Sequence, residues 1–169
     1  DRRQPRRAGA QRYGAASTGA DPGVVHQSGE KQLETLRAAY AAVNVKAHAV
    51  SFIEDMAGAY AWADLVICRA GALTIAELAA TGVGAILVPF PAAVDDHQTR
   101  NAGFLVNEGA AVLIADREFS PERLERELRT LCAGRGRLLA MAERARLLAR
   151  ADATEALAGA CERWMREAA

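Results

Sequence analysis

The chain has little of what would commit it to a special chemistry. Its three cysteines, Cys68, Cys132 and Cys161, are odd in number and widely spaced, with no CxxC pair and no Cys/His cluster. That argues against a disulfide framework or a zinc site and fits a reducing, cytosolic setting. No apolar run approaches the ~20 residues of a membrane span, and no charged start leads into an apolar signal core. The expectation is a soluble domain, still able to rest on a membrane surface. Net charge is also missing: 21 Lys and Arg balance 21 Asp and Glu, which argues against a globally basic nucleic-acid binder. No internal repeat is visible. What remains is 169 residues, enough to bury a core without staples.

The chain opens on "DRRQPRRAGAQRYGAASTGADPG", with arginines crowded into its first dozen residues and no apolar run before Val24. Low complexity is confined to this stretch. From Val24 onward short apolar runs alternate with helical patterns. "VVHQSG", "KAHAVSFI", "DLVICRAGA", "GAILVPF" and "AAVLIA" read as strands. "EKQLETLRAAYAAV", "DMAGAYAWA", "LTIAELAATG" and "DHQTRNAGFLVNEG" read as the helices between them, with Gly82 and Gly109 as stops. Strands joined through helices need crossover connections, so the predicted fold is α/β: a Rossmann-like parallel sheet with helices on both faces. Three further helices are predicted to cover the sheet. The first has Ser120 as N-cap, Pro121 at the first helical position and Gly134 past its end; Asp152 opens the last.

In open parallel sheets ligands bind beyond the carboxyl ends of the strands, and three loops stand out there. In "SFIEDM", Ile53 leaves a strand and Glu54 and Asp55 start a helix, which reads either as a site or as an apolar anchor with a capping acid. In "CRAGALTIAELAATG", Gly71 permits close backbone approach, and the helix start that follows suits a diphosphate. Thr74 to Glu77 is equally a plain capping box, so Glu77 points either back at the Thr74 amide or out to a ligand hydroxyl. In "PFPAAVDDHQTRNA", Asp95 or Asp96 serves as a cap, while His97 and Gln98 offer hydrogen bonds suited to sugar hydroxyls. A lone histidine there is as readily a solvated residue. His26 and His48, inside strand patterns, read as structural, and the charged face of the first helix as solvated surface.

Taken together, these loops resemble the MurG family, glycosyltransferases that move N-acetylglucosamine from UDP onto an undecaprenyl-pyrophosphate-linked muramyl peptide in peptidoglycan synthesis. The matching stretches are "VVHQSGEKQ", "FIEDMAGAYAWADLVICRAGALTIAELAATG", "ILVPFPAAVDDHQTRNA", "EGAA" and "MAERAR", in order and at the right spacing from Val24 to the C-terminus. The resemblance implies the carboxyl-terminal half of a GT-B enzyme, in which two Rossmann-like domains face across a cleft. It implies that Ile53 presents backbone groups to uracil and that Gly71, Ala72, Leu73 and Thr74 meet the diphosphate and ribose side. Glu77 would hold ribose hydroxyls, and His97 and Gln98 the N-acetylglucosamine hydroxyls. The family often has Gln-Gln at the last pair, so His97 is a departure that can still donate and accept. No cofactor and no metal is implied. The catalytic base and the lipid-linked acceptor site belong to the amino-terminal domain, and the full-length family works in the cytoplasm, peripheral to the inner face of the cell membrane.

The family carries a glycine-rich phosphate loop where this chain has "RRQPRRAGAQ". A GC-rich coding sequence for Ile-Gly-Gly-Ser-Leu-Gly-Ala-Gln-Ala-Leu-Asn, read one base out of frame, gives Arg-Arg-Gln-Pro-Arg-Arg-Ala-Gly-Ala-Gln, identical to residues 2–11. Residues 1–23 are therefore expected to be an aberrant, disordered segment and residues 24–169 the nucleotide-sugar-binding domain. Three other readings stay open: a donor-binding subunit with a separate amino-terminal partner, a non-functional gene product, and a basic arm contacting nucleic acid. No aromatic or RNA-binding pattern accompanies the arm. The chain alone is expected to bind the donor weakly or not at all and to transfer nothing.

Overall fold

The computed structural model of the chain describes residues 23–91 and 96–167. The segment read as aberrant lies, but for Gly23, outside the described residues. The fold divides into two compact units between Ala63 and Asp64. In the first, β1 (Val24–Gln27) and β2 (Ala47–Val50) pair in parallel, with Val24 opposite Ala47 and Gln27 opposite Val50. A 3-10 turn (Glu30–Gln32) and helix α1 (Leu33–Ala42) connect them, and α2 (Met56–Trp62) follows. His26 Nδ1 lies 3.0 Å from the Tyr40 hydroxyl, their rings edge to face, so this histidine joins β1 to α1, as read from the sequence. Burial raises the Tyr40 pKa, keeping that hydroxyl protonated.

The second unit carries β3 (Leu65–Cys68), α3 (Ala72–Thr81), β4 (Gly84–Leu87), α4 (His97–Val106) and β5 (Ala111–Leu113). Its strand order is β3-β4-β5, all parallel. Every residue of β4 is buried, so both faces of this central strand are covered. Ile86 and Ile114 pack against Leu131 of α5 (Pro121–Cys132) and Met141 of α6 (Arg135–Leu147), flanked by Leu65, Val112, Leu124, Leu128 and Leu138. Gly84 lies directly beneath Met141, where an added Cβ would come within 3.0 Å of the Met141 Cβ. Ala85 and Leu87 alternate to the opposite face and are equally buried.

The punctuation read from the sequence is present. Gly82, at φ 68°, ends α3: its N–H and that of Val83 return to the Ala79 and Leu78 carbonyls, a Schellman closure that favours glycine. Ser120 accepts from the Arg123 N–H, with Pro121 opening α5. Gly134 does double duty, standing one residue past the C-cap of α5, Ala133, and serving as N-cap of α6. One expectation fails. The last helix, α7 (Ala153–Glu167), has no buried residue, and Leu157, Trp164 and Met165 are exposed. Covering of the sheet by the helical tail therefore falls to α5 and α6. The apolar positions of α7, Leu157, Ala160, Cys161, Trp164 and Met165, do recur at helical spacing, the pattern behind the sequence expectation, but the structure leaves that face exposed.

Candidate functional site

In the second unit the loops after β3, β4 and β5 emerge at the same end of the sheet, because all three strands run parallel. After β3 come Arg69, Ala70 and Gly71. Gly71, extended at φ −65° and ψ 146°, is the N-cap of α3. Among the described residues no side chain caps the first N–H groups of the helix, the arrangement that receives anions. A Cβ at Gly71 would meet nothing nearer than Thr74 Oγ1 at 3.5 Å. The protein itself does not require glycine there, whereas close approach of a ligand would.

The capping-box reading does not hold. The helix opens at Ala72, so Thr74 is its third residue and Glu77 lies in the second turn, exposed. Thr-x-x-Glu spacing signals a helix start only when Thr stands outside the helix, and here Gly71 takes that place. Leu73 is exposed as well, and Thr74 half-buried.

After β4 the chain passes through Val88, Pro89 and Phe90; Asp95 falls outside the described residues. Asp96 caps α4 from the left-handed region, φ 52° and ψ 30°, and its carboxylate accepts from the Thr99 hydroxyl at 2.6 Å. His97 is exposed at the first helical position. Gln98 is committed in part to the fold. Its Oε1 accepts from the Phe90 N–H at 2.9 Å and the Ala70 N–H at 3.3 Å, tying the loop after β4 to the loop after β3. Asn101 completes the tie by donating to the Ala70 carbonyl at 3.1 Å. Ala70 is fully buried, so these side chains satisfy backbone groups that water does not reach.

A second tie runs through Arg69. Its Nη1 donates to the Val88 carbonyl (3.2 Å), the Pro89 carbonyl (3.1 Å) and Asp116 Oδ1 (2.6 Å), and its guanidinium lies 5.4 Å from the centre of the Phe90 ring. Beside the loops a cleft of about 320 Å³ is lined by Ala72, Ile75, Arg100, Asn101 and Phe104. Cys68, the last residue of β3, has its thiol pushed up to about 11 by burial, which keeps it protonated and unreactive.

The structure thus gathers Gly71, Ala72, Leu73, Thr74, Glu77, His97 and Gln98 on two adjoining loops and helices of one unit. Ile53 belongs to the other unit. There its N–H donates to Gln27 Oε1 at 2.8 Å, and Asp55 caps α2 by accepting from the Gly58 N–H at 2.8 Å. The capping-acid reading of that loop therefore holds for Asp55. Arg69, Asn101, Asp116 and Gln27 escape sequence reasoning, since each acts on a partner distant in the chain. Among the described residues no group of three or more His, Cys, Asp or Glu side chains is placed to hold a metal ion. None of the described helices is long and apolar enough to cross a membrane.

The C-terminal domain of glycosyltransferase family 28 matches residues 9–157. The chain belongs to this family. It is 64% identical over 140 residues to the UDP-N-acetylglucosamine--N-acetylmuramyl-(pentapeptide) pyrophosphoryl-undecaprenol N-acetylglucosamine transferase of Dechloromonas aromatica (strain RCB), covering 83% of this chain and 39% of that protein. The enzyme of the same name from Azoarcus sp. (strain BH72) is 61% identical over 141 residues, with the same coverage. The crystal structure of Acinetobacter baumannii MurG superposes with a TM-score of 0.78 at 44% identity, over 83% of this chain and 41% of that one. The MurG resemblance and the α/β fold of parallel sheets read from the sequence are borne out. The chain spans about two fifths of the length of these relatives.

Proposed function

We propose that this chain is the donor-binding part of an inverting glycosyltransferase that uses UDP-N-acetylglucosamine and, with an amino-terminal domain, transfers the sugar to a lipid-linked muramyl-peptide acceptor. One observation carries the reading. The first turn of α3 is uncapped behind a glycine that the protein does not need, beside the loop that presents His97 and Gln98. Parts of that kind suit an anionic diphosphate next to a polyhydroxylated sugar.

In this account the N–H groups of Ala72, Leu73 and Thr74 face the diphosphate. As the acceptor hydroxyl displaces UDP from the anomeric carbon, negative charge grows on the departing β-phosphate, and preorganised N–H dipoles stabilise it. Glu77 accepts from ribose hydroxyls. His97 and the amide of Gln98 orient the sugar, Gln98 being held rigid by the two N–H groups on its Oε1. Ile53 offers backbone groups to uracil. The acceptor and the general base come from the amino-terminal domain, encoded with this one or as a separate partner. The reaction would take place in the cytoplasm, at the inner face of the membrane.

We also read residues 1–23 as an out-of-frame version of a glycine-rich phosphate loop, a proposal that sequencing the coding DNA decides. Flexible arginines replace preorganised backbone donors poorly. Donor binding by this chain is then weak and transfer absent. The test is a titration with UDP-N-acetylglucosamine, before and after Ile-Gly-Gly-Ser-Leu-Gly-Ala-Gln replaces the arginine-rich stretch, alongside an assay with lipid-linked acceptor. Tighter binding without turnover supports the proposal, and turnover by the unmodified chain contradicts it.

A further inference from the structure

We propose that Asp116 is a positioning residue for the sugar-facing loop and acts through Arg69; the proposal rests on the nucleotide-sugar reading above. Asp116 opens the 3-10 turn (Asp116–Glu118) that follows β5, a strand to which the sequence reading assigns no part in the site. Its carboxylate receives the shortest of the three hydrogen bonds from Arg69 Nη1, at 2.6 Å.

The dipeptides Arg69-Ala70 and Pro89-Phe90 are joined twice. The Arg69 side chain reaches the Val88 and Pro89 carbonyls, and the Gln98 side chain bridges the Ala70 and Phe90 N–H groups. The result is a closed ring of hydrogen bonds around the root of the loop that leads to His97. Asp116 ties this ring to the third strand.

The arrangement has a weak point. Nη1 carries two hydrogens for three acceptors, so one hydrogen is shared. The side chains of Arg69 and Asp116 are 50% and 35% exposed, and as a bare ion pair they would contribute little to stability. The value of the carboxylate is directional. It holds a long, half-exposed side chain in the one orientation that reaches both carbonyls. Without it water competes for the guanidinium, the Val88 and Pro89 carbonyls are released, the Phe90 ring loses its packing on the guanidinium, and the Phe90 N–H loses its fixed place on Gln98 Oε1. The ligand-facing amide then wanders while the core beneath stays intact.

The experiment uses the full chain with Asp116→Asn, Asp116→Ala and Asp116→Glu. Amide exchange at Phe90 and Ala70 is followed by NMR, with titrations of UDP and UDP-N-acetylglucosamine at millimolar concentrations. Asp116→Asn and Asp116→Ala are expected to speed Phe90 exchange roughly threefold, the scale of a half-exposed ion pair. They should weaken UDP-N-acetylglucosamine by a similar factor while leaving UDP unchanged, and Asp116→Glu should restore most of both. Unchanged Phe90 and Ala70 exchange, or equal losses for the two nucleotides, overturns the role of Asp116 and leaves the site reading intact. Absence of any shift with either nucleotide, both in the unmodified chain and in one with the glycine-rich loop restored, overturns the nucleotide-sugar reading itself. Should Asp116→Ala fail to fold, the isosteric Asp116→Asn decides.

Discussion

The two units hold their candidate ligand loops in different ways. In the second, the loops grow from a sheet whose central strand is buried throughout, and the side chains of Arg69, Gln98 and Asn101 cross-tie them. In the first, the described residues bury only Ala49, Ala59 and Tyr60, α1 contributes no buried residue, and the Ile53 N–H donates one exposed bond to Gln27 Oε1. A phosphate or sugar contact needs donors fixed in space before the ligand arrives, because each ordered group otherwise costs binding energy. A planar base held through backbone groups tolerates a looser frame. Under the proposed reading, rigidity is placed where charge and hydroxyl geometry must be matched.

The largest expected contrast is in the cores. Ile86→Ala removes a fully buried side chain from the cluster with Leu131 and Met141 and should cost about 2–5 kcal/mol in denaturant unfolding. Leu36→Ala, on the half-buried side of α1, should cost about 1 kcal/mol or less. Equal losses would dissolve the contrast between the units.

Next come the two glutamines. Gln98→Leu strands the buried Ala70 N–H and should cost about 1–3 kcal/mol. Gln27→Leu frees an N–H in an exposed setting, which water satisfies, and should cost less than about 1 kcal/mol. Melting curves of the two variants, with amide exchange at Ala70 and Ile53, decide.

A smaller effect on stability, joined to a large one on binding, is expected at the lip of α3. Gly71→Ala should leave unfolding free energy within about 0.5 kcal/mol, since its Cβ has room. It should nevertheless weaken UDP binding, because the methyl group occupies the path of the diphosphate. Glu77→Gln should also weaken UDP, because an amide accepts ribose hydroxyls less strongly than a carboxylate. A stability loss with unchanged affinity would return both residues to a structural role.

The slightest perturbation is chemical. In the native chain a maleimide should label the exposed Cys132 and Cys161 within minutes and Cys68 far more slowly, its thiol held protonated at about 11 by burial. Mass spectrometry of the labelled peptides checks this, and rapid labelling of Cys68 would mean that β3 opens in the native state.

Much of the fold was legible in the sequence because it rests on local signals. Alternating apolar runs mark strands and helices, Gly82 ends α3, and Ser120 with Pro121 opens α5. The start of α3 was not legible. Thr74 and Glu77 have the spacing of a capping box, yet the helix begins where β3 releases the chain, and that depends on pairing with β4 rather than on the Thr itself. The ties were invisible for a related reason. Arg69 meets Asp116 across 47 residues, Asn101 meets Ala70 across 31 and Gln27 meets Ile53 across 26, separations at which spacing carries no pattern. The residues on the loops at the carboxyl ends of the strands could be named from the sequence; residues that hold those loops still could not.

The central claim is that the loops after β3 and β4 form a preorganised seat for the diphosphate and sugar of a UDP-sugar. Its most direct test is an NMR titration of the chain with UDP-N-acetylglucosamine at millimolar concentration, read residue by residue. The account predicts amide shifts concentrated at Gly71, Ala72, Leu73, Thr74, His97 and Gln98, with UDP alone moving the first four and leaving the last two in place. Shifts confined to other parts of the chain, or none with either ligand even after the glycine-rich loop is restored, would contradict it.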